Sequence, residues 1–298
     1  MGMMMKVFKL KLIASAAITA SLSIFAVGAH AQSLVGLNSS NQISIFDSNN
    51  VSNATFNTIS GAGLGENFIG IDLRPTNNMV YGITRSNKLF TIDAATGNSS
   101  FVAALSSNII GTSKGYGIDF NPVADRGTGA SLRLVSSSGD NYAINANTGA
   151  VTVASSLTGM FTAVAYTNTD ASTPSTAPAS TQLYYIDSVA DTLSVANSGF
   201  NNPTITTVGS LGLDVLSANG FDIDSNGVGY GAFNFDDGTL KSRLYTVNLS
   251  TGQTTVMGTF NGTISGLTVA PVPEPESYAM VLAGLALLGA AKRRQSEM

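Results

Sequence analysis

Residues 70–105 read GIDLRPTNNMVYGITRSNKLFTIDAATGNSSFVAAL, a succession of short apolar-rich runs held apart by turn residues. The runs are Ile69 to Leu73, Met79 to Ile83, Lys88 to Ile92 and Ser100 to Leu105. Pro75 to Asn78, Arg85 to Asn87 and Ala94 to Gly97 separate them. Runs of this length, rich in β-branched and aromatic residues and bounded by Asn, Gly, Pro and Ser, predict four strands joined by hairpins. The last turn carries its own signature. Asp93-Ala94-Ala95-Thr96-Gly97 returns as Asn145-Ala146-Asn147-Thr148-Gly149 and as Asn248-Leu249-Ser250-Thr251-Gly252. In each, an Asx side chain can bond the backbone just ahead of it, and the closing glycine can take the positive φ that sends the chain back.

Working outward, the opening strand also recurs. Gly70-Ile71-Asp72-Leu73 is matched by Gly117-Ile118-Asp119-Phe120 and Gly220-Phe221-Asp222-Ile223, with weaker copies from Ala163 and from Gly266. The intervals from residue 70 through 117, 163, 220 and 266 are 47, 46, 57 and 46 residues, and the long one contains the Ser/Thr/Pro/Ala loop Thr167 to Thr181. A period in the forties with four strands per unit is that of a β-propeller blade. The unit opening at Gly266 has only one strand, Ile264 to Ala270, ahead of the prolines. Leu34 to Leu37, Gln42 to Phe46 and Thr55 to Ile59 offer the three it lacks. The expectation is therefore an all-β, five-bladed propeller whose composite blade is closed by strands from both ends, leaving no exposed sheet edge.

Composition narrows the chemistry. The 298 residues include no Cys, no Trp and one His, and 11% are charged, for a net charge of −4. Disulfides, zinc-cysteine sites and thiol nucleophiles are excluded. Residues 1–31 read as a secretory signal peptide: Lys6, Lys9 and Lys11, an apolar run from Leu12 to Val27, then Ala29-His30-Ala31 ahead of Gln32. Sec export and signal peptidase are the partners this implies. Removal of the segment takes away the single histidine, and with it Ser-His-Asp catalysis and histidine-ligated metals. The body, residues 32–271, carries eight basic and fifteen acidic residues, a balance of −7 that argues against nucleic acid as a partner.

At the other end, Val272-Pro273-Glu274-Pro275 precedes the apolar run Tyr278 to Ala291 and the basic cluster Lys292-Arg293-Arg294. At 1.5 Å per residue such a run makes a helix of about 21 Å, short of the roughly 30 Å hydrocarbon core. Residues 272–298 resemble the PEP-CTERM sorting tail of exosortase substrates. That resemblance implies transient tethering in the inner membrane, recognition by an exosortase at Pro273, Glu274 and Pro275, topology set by Lys292, Arg293 and Arg294, and delivery to the cell surface or an exopolysaccharide matrix. The repeated G-[IF]-D-[FL]-x-P units, best seen in Gly70 to Pro75 and Gly117 to Pro122, resemble the bacterial domain of unknown function 4394, which implies no activity.

Two groups of residues are candidates for chemistry. Asp222, Asp224 and Asn226 with Gly227 fit the opening of a calcium loop, but position twelve is Phe233 instead of a bidentate Glu, which favours an Asx-rich turn. Asp72, Asp119 and Asp222 occupy equivalent points on three opening strands and are expected near a common channel. One reading makes them a carboxylate ring for a cation, a sugar or acid-base work with Glu66, as in five-bladed glycosidases. The preferred reading is structural: each Asp accepts backbone N–H groups of the next blade. Tyr81, Tyr184, Tyr185, Tyr230 and Tyr245 are assigned to inter-blade core. The chain is thus read as a non-enzymatic, exported binding or structural component, with no cofactor other than calcium as a candidate.

Overall fold

The computed structural model describes residues 32–127, 129, 131–169, 176–216 and 220–270. The signal peptide expected over 1–31 and the sorting tail expected over 272–298 lie outside these residues. Five sheets are arranged as a five-bladed β-propeller. Blade I consists of Phe68–Arg74, Met79–Thr84, Lys88–Ile92 and Asn98–Ala104, from the axis outward. Blade II is Tyr116–Phe120, Leu132–Ser136, Asn141–Ile144 and Val151–Val153. Blade III is Phe161–Tyr166, Leu183–Asp187, Thr192–Ala196 and Thr206–Ser210, and blade IV is Gly220–Ile223, Gly229–Phe233, Arg243–Val247 and Thr254–Thr259.

Blade V closes the ring from both ends. Its innermost strand, Ile264–Val269, pairs antiparallel with Ser33–Asn38, which pairs with Gln42–Asp47 and then Asn57–Thr58. The expected fourth strand, Thr55 to Ile59, shrinks to Asn57–Thr58, which follow a 3-10 turn at Val51–Asn53 and an irregular stretch. Blade I gains what the repeat did not predict. Ser60–Gly61 runs parallel along the outer edge of Asn98–Ala104, so that the chain enters blade I by first covering its edge.

Burial follows distance from the axis. The first strands of blades I to IV are buried at every residue, whereas the outermost strand of blade II reads half-buried, exposed, exposed. The inner strands therefore read as near-continuous apolar runs, since both faces pack on neighbouring blades. Between blades I and II, Tyr81, Ile83 and Leu89 meet Ile118, Phe120 and Leu134; between II and III, Val135 meets Val164, Tyr166 and Tyr185. Each such large side chain contributes roughly 1.5–3 kcal/mol relative to exposure.

Glycine sets how tightly the ring closes. A Cβ at Gly117 would lie 2.7 Å from the Ala163 Cα, and one at Gly220 would lie 2.5 Å from the Leu267 backbone N. The repeated glycine of the opening strand is thus the point of closest approach between adjacent inner strands. The axis it leaves is narrow: about 10 Å³ among Gly70, Gly117, Ala163, Gly220 and Gly266, room for about one water. The Asx-to-glycine turns form as expected. Asp93 Oδ1 accepts the N–H groups of Ala95 and Thr96, Asn145 Oδ1 those of Asn147 and Thr148, and Asn248 Oδ1 those of Ser250 and Thr251.

Candidate functional site

The opening strands bring Asp72, Asp119 and Asp222 together. One carboxylate oxygen from each lies within 4.8 Å of the others, and the three residues are 4%, 0% and 2% exposed. The residue at this position is Asp in blades I, II and IV, Ala165 in blade III and Thr268 in blade V, so five equivalent positions form one ring. Each polar member bonds the backbone of the next blade. Asp72 Oδ2 accepts the Phe120 N–H (2.6 Å), Asp119 Oδ1 the Tyr166 N–H (3.1 Å), Asp222 Oδ2 the Val269 N–H (2.6 Å) and Thr268 Oγ1 the Leu73 N–H (3.0 Å). Where Ala165 offers no acceptor, the Ile223 N–H turns to Asp222 Oδ1. These donors lie one residue past the ring position on each strand, where they face the neighbouring blade, so the carboxylates satisfy groups that would otherwise be buried unpaired.

The ring's electrostatics are unusual. Burial pushes Asp119 well above the usual carboxylate range, and the charges of Asp72 and Asp222 push it further; burial and then Asp222 raise Asp72 in the same way. Burial also raises Asp222, to about 6. The Thr268 hydroxyl lies 2.8 Å from Asp72 Oδ1 and 2.9 Å from Asp222 Oδ2 while accepting from Leu73. A threonine hydroxyl has one hydrogen to give. Both contacts are hydrogen bonds only when one of the two carboxyls is protonated and donates to Thr268. Asp119 Oδ2 is buried with no hydrogen-bond partner. Three adjacent buried carboxyls, none of them in an ion pair among the described residues, require protons or a cation to offset their charge.

Asp224 takes another direction. Its Oδ1 accepts the N–H groups of Asn226 and Val228, capping its own hairpin, and the carboxylates gathered around Asp222 are Asp72 and Asp119. Glu66 is held by Lys88 Nζ at 2.6 Å and by Ser86. Tyr81, Tyr184, Tyr185, Tyr230 and Tyr245 are all buried in the inter-blade core.

Two buried arginines escaped the sequence reading. Arg74, at the end of the first strand of blade I, donates Nε to Asp125 Oδ1 at 2.7 Å and Nη1 to the Tyr81 hydroxyl and Asn147 Oδ1. Asp125 sits in a four-residue helix, Pro122–Asp125, capped by Asn121, whose Oδ1 accepts from Val123 and Ala124. Arg133, on the second strand of blade II, donates to the Tyr166 hydroxyl, Asn141 Oδ1 and Asn201 Oδ1. It lines a cleft of about 620 Å³. The signal that could have found Arg74 and Arg133 is their place inside the repeat, a cation on an inner strand otherwise made mostly of apolar residues. On another part of the surface, Asn38, Asn41, Arg85, Lys114 and Tyr116 line a hollow of about 260 Å³, in which Lys114 is paired with Asp140.

Comparison with known proteins gives the fold and its tail a family. The model of the domain of unknown function 4394 matches residues 42–268, and the chain belongs to that family. The PEP-CTERM protein-sorting motif matches residues 271–295. The motif makes this an exported protein processed by exosortase and anchored in the membrane as a precursor. No curated protein matches the chain. Among solved structures, a protein of unknown function from Bacteroides thetaiotaomicron is similar at 14% identity and TM-score 0.46, with 74% of this chain and 56% of that chain covered. This chain thus spans little more than half of that protein's length. A calcium-binding protein, regucalcin, from Agrobacterium tumefaciens is similar at 12% identity and TM-score 0.40, covering 78% and 72%. BamB from Moraxella catarrhalis is similar at 14% identity and TM-score 0.33, covering 75% and 69%. Among the described residues no helix is long and apolar enough to cross a membrane.

Proposed function

We propose that this protein is a non-catalytic binding or structural component of the cell envelope or exopolysaccharide matrix. Residues 1–31 direct Sec export and are removed by signal peptidase; the apolar tail then tethers the precursor in the inner membrane until exosortase acts at Pro273-Glu274-Pro275. One observation carries the non-catalytic reading. The carboxylates at the axis, where a hydrolase of this architecture would keep its acid and base, are buried and spend five of their six oxygens on hydrogen bonds with backbone N–H groups and Thr268. An axis with room for about one water admits no sugar ring.

Calorimetric titration of the processed protein with the extracellular polysaccharide of its producing cells tests this role. Saturable heat without release of reducing sugar is the expected result. Sugar release that Asp119→Asn abolishes at unchanged melting temperature would replace it with the hydrolase reading. No heat, together with ordered self-association, would select the purely structural role.

A further inference from the structure

Arg133 is a buried cation that makes no ion pair among the described residues, although Asp119 stands opposite it on the neighbouring strand of blade II. It is 6% exposed. Its bonds go to neutral groups: Nε to the Tyr166 hydroxyl at 3.4 Å, Nη1 to Asn141 Oδ1 at 2.8 Å and Nη2 to Asn201 Oδ1 at 3.0 Å. The Asn141 amide is fixed in this orientation, because its Nδ2 is committed to the carbonyls of Ser155 and Phe200. Arg74 provides an internal comparison. Both arginines hold a tyrosine hydroxyl and an amide oxygen from the loop between the third and fourth strands of the next blade, Asn147 for Arg74 and Asn201 for Arg133. Arg74 adds Asp125; Arg133 has the second amide of Asn141 instead.

The loop that carries Asn201 is also where blade III departs from the repeat. Its neighbours use the five-residue Asx-to-glycine turn, whereas blade III connects Ala196 to Thr206 through a longer loop. Phe200 in that loop packs its ring edge-on against Tyr166, with centroids 5.0 Å apart. Phe200, Asn201 and Asn202 form one wall of the cleft over Arg133, and Asn121 and Thr152 stand elsewhere on its lining. The cleft is lined by one guanidinium, by amide and hydroxyl groups and by one aromatic ring. Its volume of about 620 Å³ falls in the ordinary range for a small-ligand site.

We propose that this cleft binds a carboxylate-bearing sugar residue, of the uronic acid class, in an acidic polysaccharide. A guanidinium has five N–H donors; three are used internally, and one on each terminal nitrogen remains. A carboxylate matches such a fork with its two oxygens. One positive charge lined by neutral amides suits a monoanion and leaves a phosphate dianion in excess. The acidic body disfavours densely charged polymers, so selection falls on an isolated acidic sugar whose ring also has an aromatic face to lie against. The choice of a polysaccharide rests on the matrix role proposed above, while the site itself rests on Arg133.

The test uses the full chain in detergent micelles, titrated calorimetrically with trigalacturonate and with its methyl ester. Trigalacturonate is expected to bind saturably and at least tenfold more tightly than the ester. Asn201→Asp, which preserves shape and supplies Arg133 with an internal counter-ion, is expected to weaken acid binding at least tenfold and to raise the melting temperature. Absence of binding, equal affinity for acid and ester, or unchanged affinity in Asn201→Asp would overturn the proposal. The two readings separate cleanly. Native polysaccharide that binds equally well to Asn201→Asp leaves the matrix role standing without this site. Native polysaccharide that gives no heat, beside Asn201-dependent binding of trigalacturonate, leaves the site without that role.

Discussion

Thr268 and Asp72 stand 196 positions apart in the chain and meet at the propeller axis, hydroxyl to carboxylate, at 2.8 Å. Thr268 also accepts the Leu73 N–H and contacts Asp222, so one side chain of the final strand bonds blades I and IV. This contact completes the circuit that strand pairing between Ile264–Val269 and Ser33–Asn38 begins. Thr268→Val keeps the shape and removes the hydroxyl, leaving the Leu73 N–H buried and unpaired. The expected loss is about 1–3 kcal/mol, read as a lower midpoint in urea with unchanged slope, with Thr268→Ser restoring most of it. A valine variant as stable as the parent would show that pairing alone closes the ring.

The axial carboxyls give stability an acid-side maximum. Asp222 shifts from 3.8 to about 6, so between those values the folded protein keeps a proton that the unfolded chain has released. Stability therefore falls as pH rises through that window, at up to roughly 1.4 kcal/mol per pH unit for each such proton. Asp72 and Asp119 shift in the same direction and extend the decline upward. Glu66 and Asp140 act oppositely. Burial works against them, but bonds from Lys88 and Ser86 to Glu66, and from Lys114 and Ser136 to Asp140, outweigh it and lower both. Their contribution is present above the usual carboxylate values and is lost as pH falls through their lowered ones. Melting followed by circular dichroism should peak near the ordinary carboxylate values, at about pH 4, and decline on both sides. A melting temperature that climbs steadily to pH 8 would contradict protonated axial carboxyls.

Asp119→Asn isolates one member of this ring. The amide keeps the oxygen that accepts from Tyr166 and converts the unpartnered Oδ2 into a donor beside two other carboxyls. It also removes a buried ionisable group. At pH 8 the variant should melt above the parent by a few degrees, a gain of about 1–2 kcal/mol, and the difference should shrink by pH 5. Asp119→Ala, which strands the Tyr166 N–H, should melt below it. Loss of stability in the Asn variant at pH 8 would mean that the charge is wanted there, as it would be with a bound cation; a thermal shift on adding calcium would then identify it.

Much of this architecture could be read from the sequence because each blade must solve the same local problems. The Asx-to-glycine turn is a backbone requirement, and the period follows from four short strands. Closure was legible because neither end supplied a whole blade. The site was harder to see. Asp72, Asp119 and Asp222 stood out by repetition, but the fifth ring position is threonine, and its double contact arises only from a meeting of strands distant in sequence. Arg74 and Arg133 were missed for a related reason: beside Tyr81 and Asn141 on their own blades, their other partners lie on the following blade, from 33 to 73 residues away. The outermost strand of blade V was overestimated, because its pattern does not reveal that Thr55 and Phe56 stay irregular and only Asn57 and Thr58 pair with the third strand.

Glycine at the head of the opening strand is a requirement of the ring. Gly220→Ala would place a methyl 2.5 Å from the Leu267 backbone N, and Gly117→Ala one 2.7 Å from the Ala163 Cα, contacts that only a backbone shift can relieve. Each should cost about 1–3 kcal/mol. Gly262→Ala, at a position with no heavy atom within 4 Å of the added methyl, serves as the control and should change stability little. Equal melting temperatures for all three variants would mean that the blades can part at the axis without penalty.

Arg74 and Asp125 provide the reciprocal of the Arg133 cleft. Their pair is nearly dry, with side chains 10% and 0% exposed, and Asp125 also accepts from Thr76 and Ser131. Asp125→Asn leaves Arg74 among neutral groups, the condition Arg133 has already, and removes a charge that several donors are arranged to meet. Breaking a buried pair in this way costs about 3–5 kcal/mol, so the variant should unfold at markedly lower urea. Because the four-residue helix carrying Asp125 is capped by Asn121 on the lining of the cleft, disturbance there should also weaken acid-sugar binding, whereas Asn201→Asp should weaken binding and gain stability. Opposite signs in stability with the same sign in binding would separate the internal counter-ion of blade I from the ligand site of blade II. If Asp125→Asn is as stable as the parent, an inter-blade arginine needs no carboxylate, and the unbalanced charge on Arg133 ceases to point to a ligand.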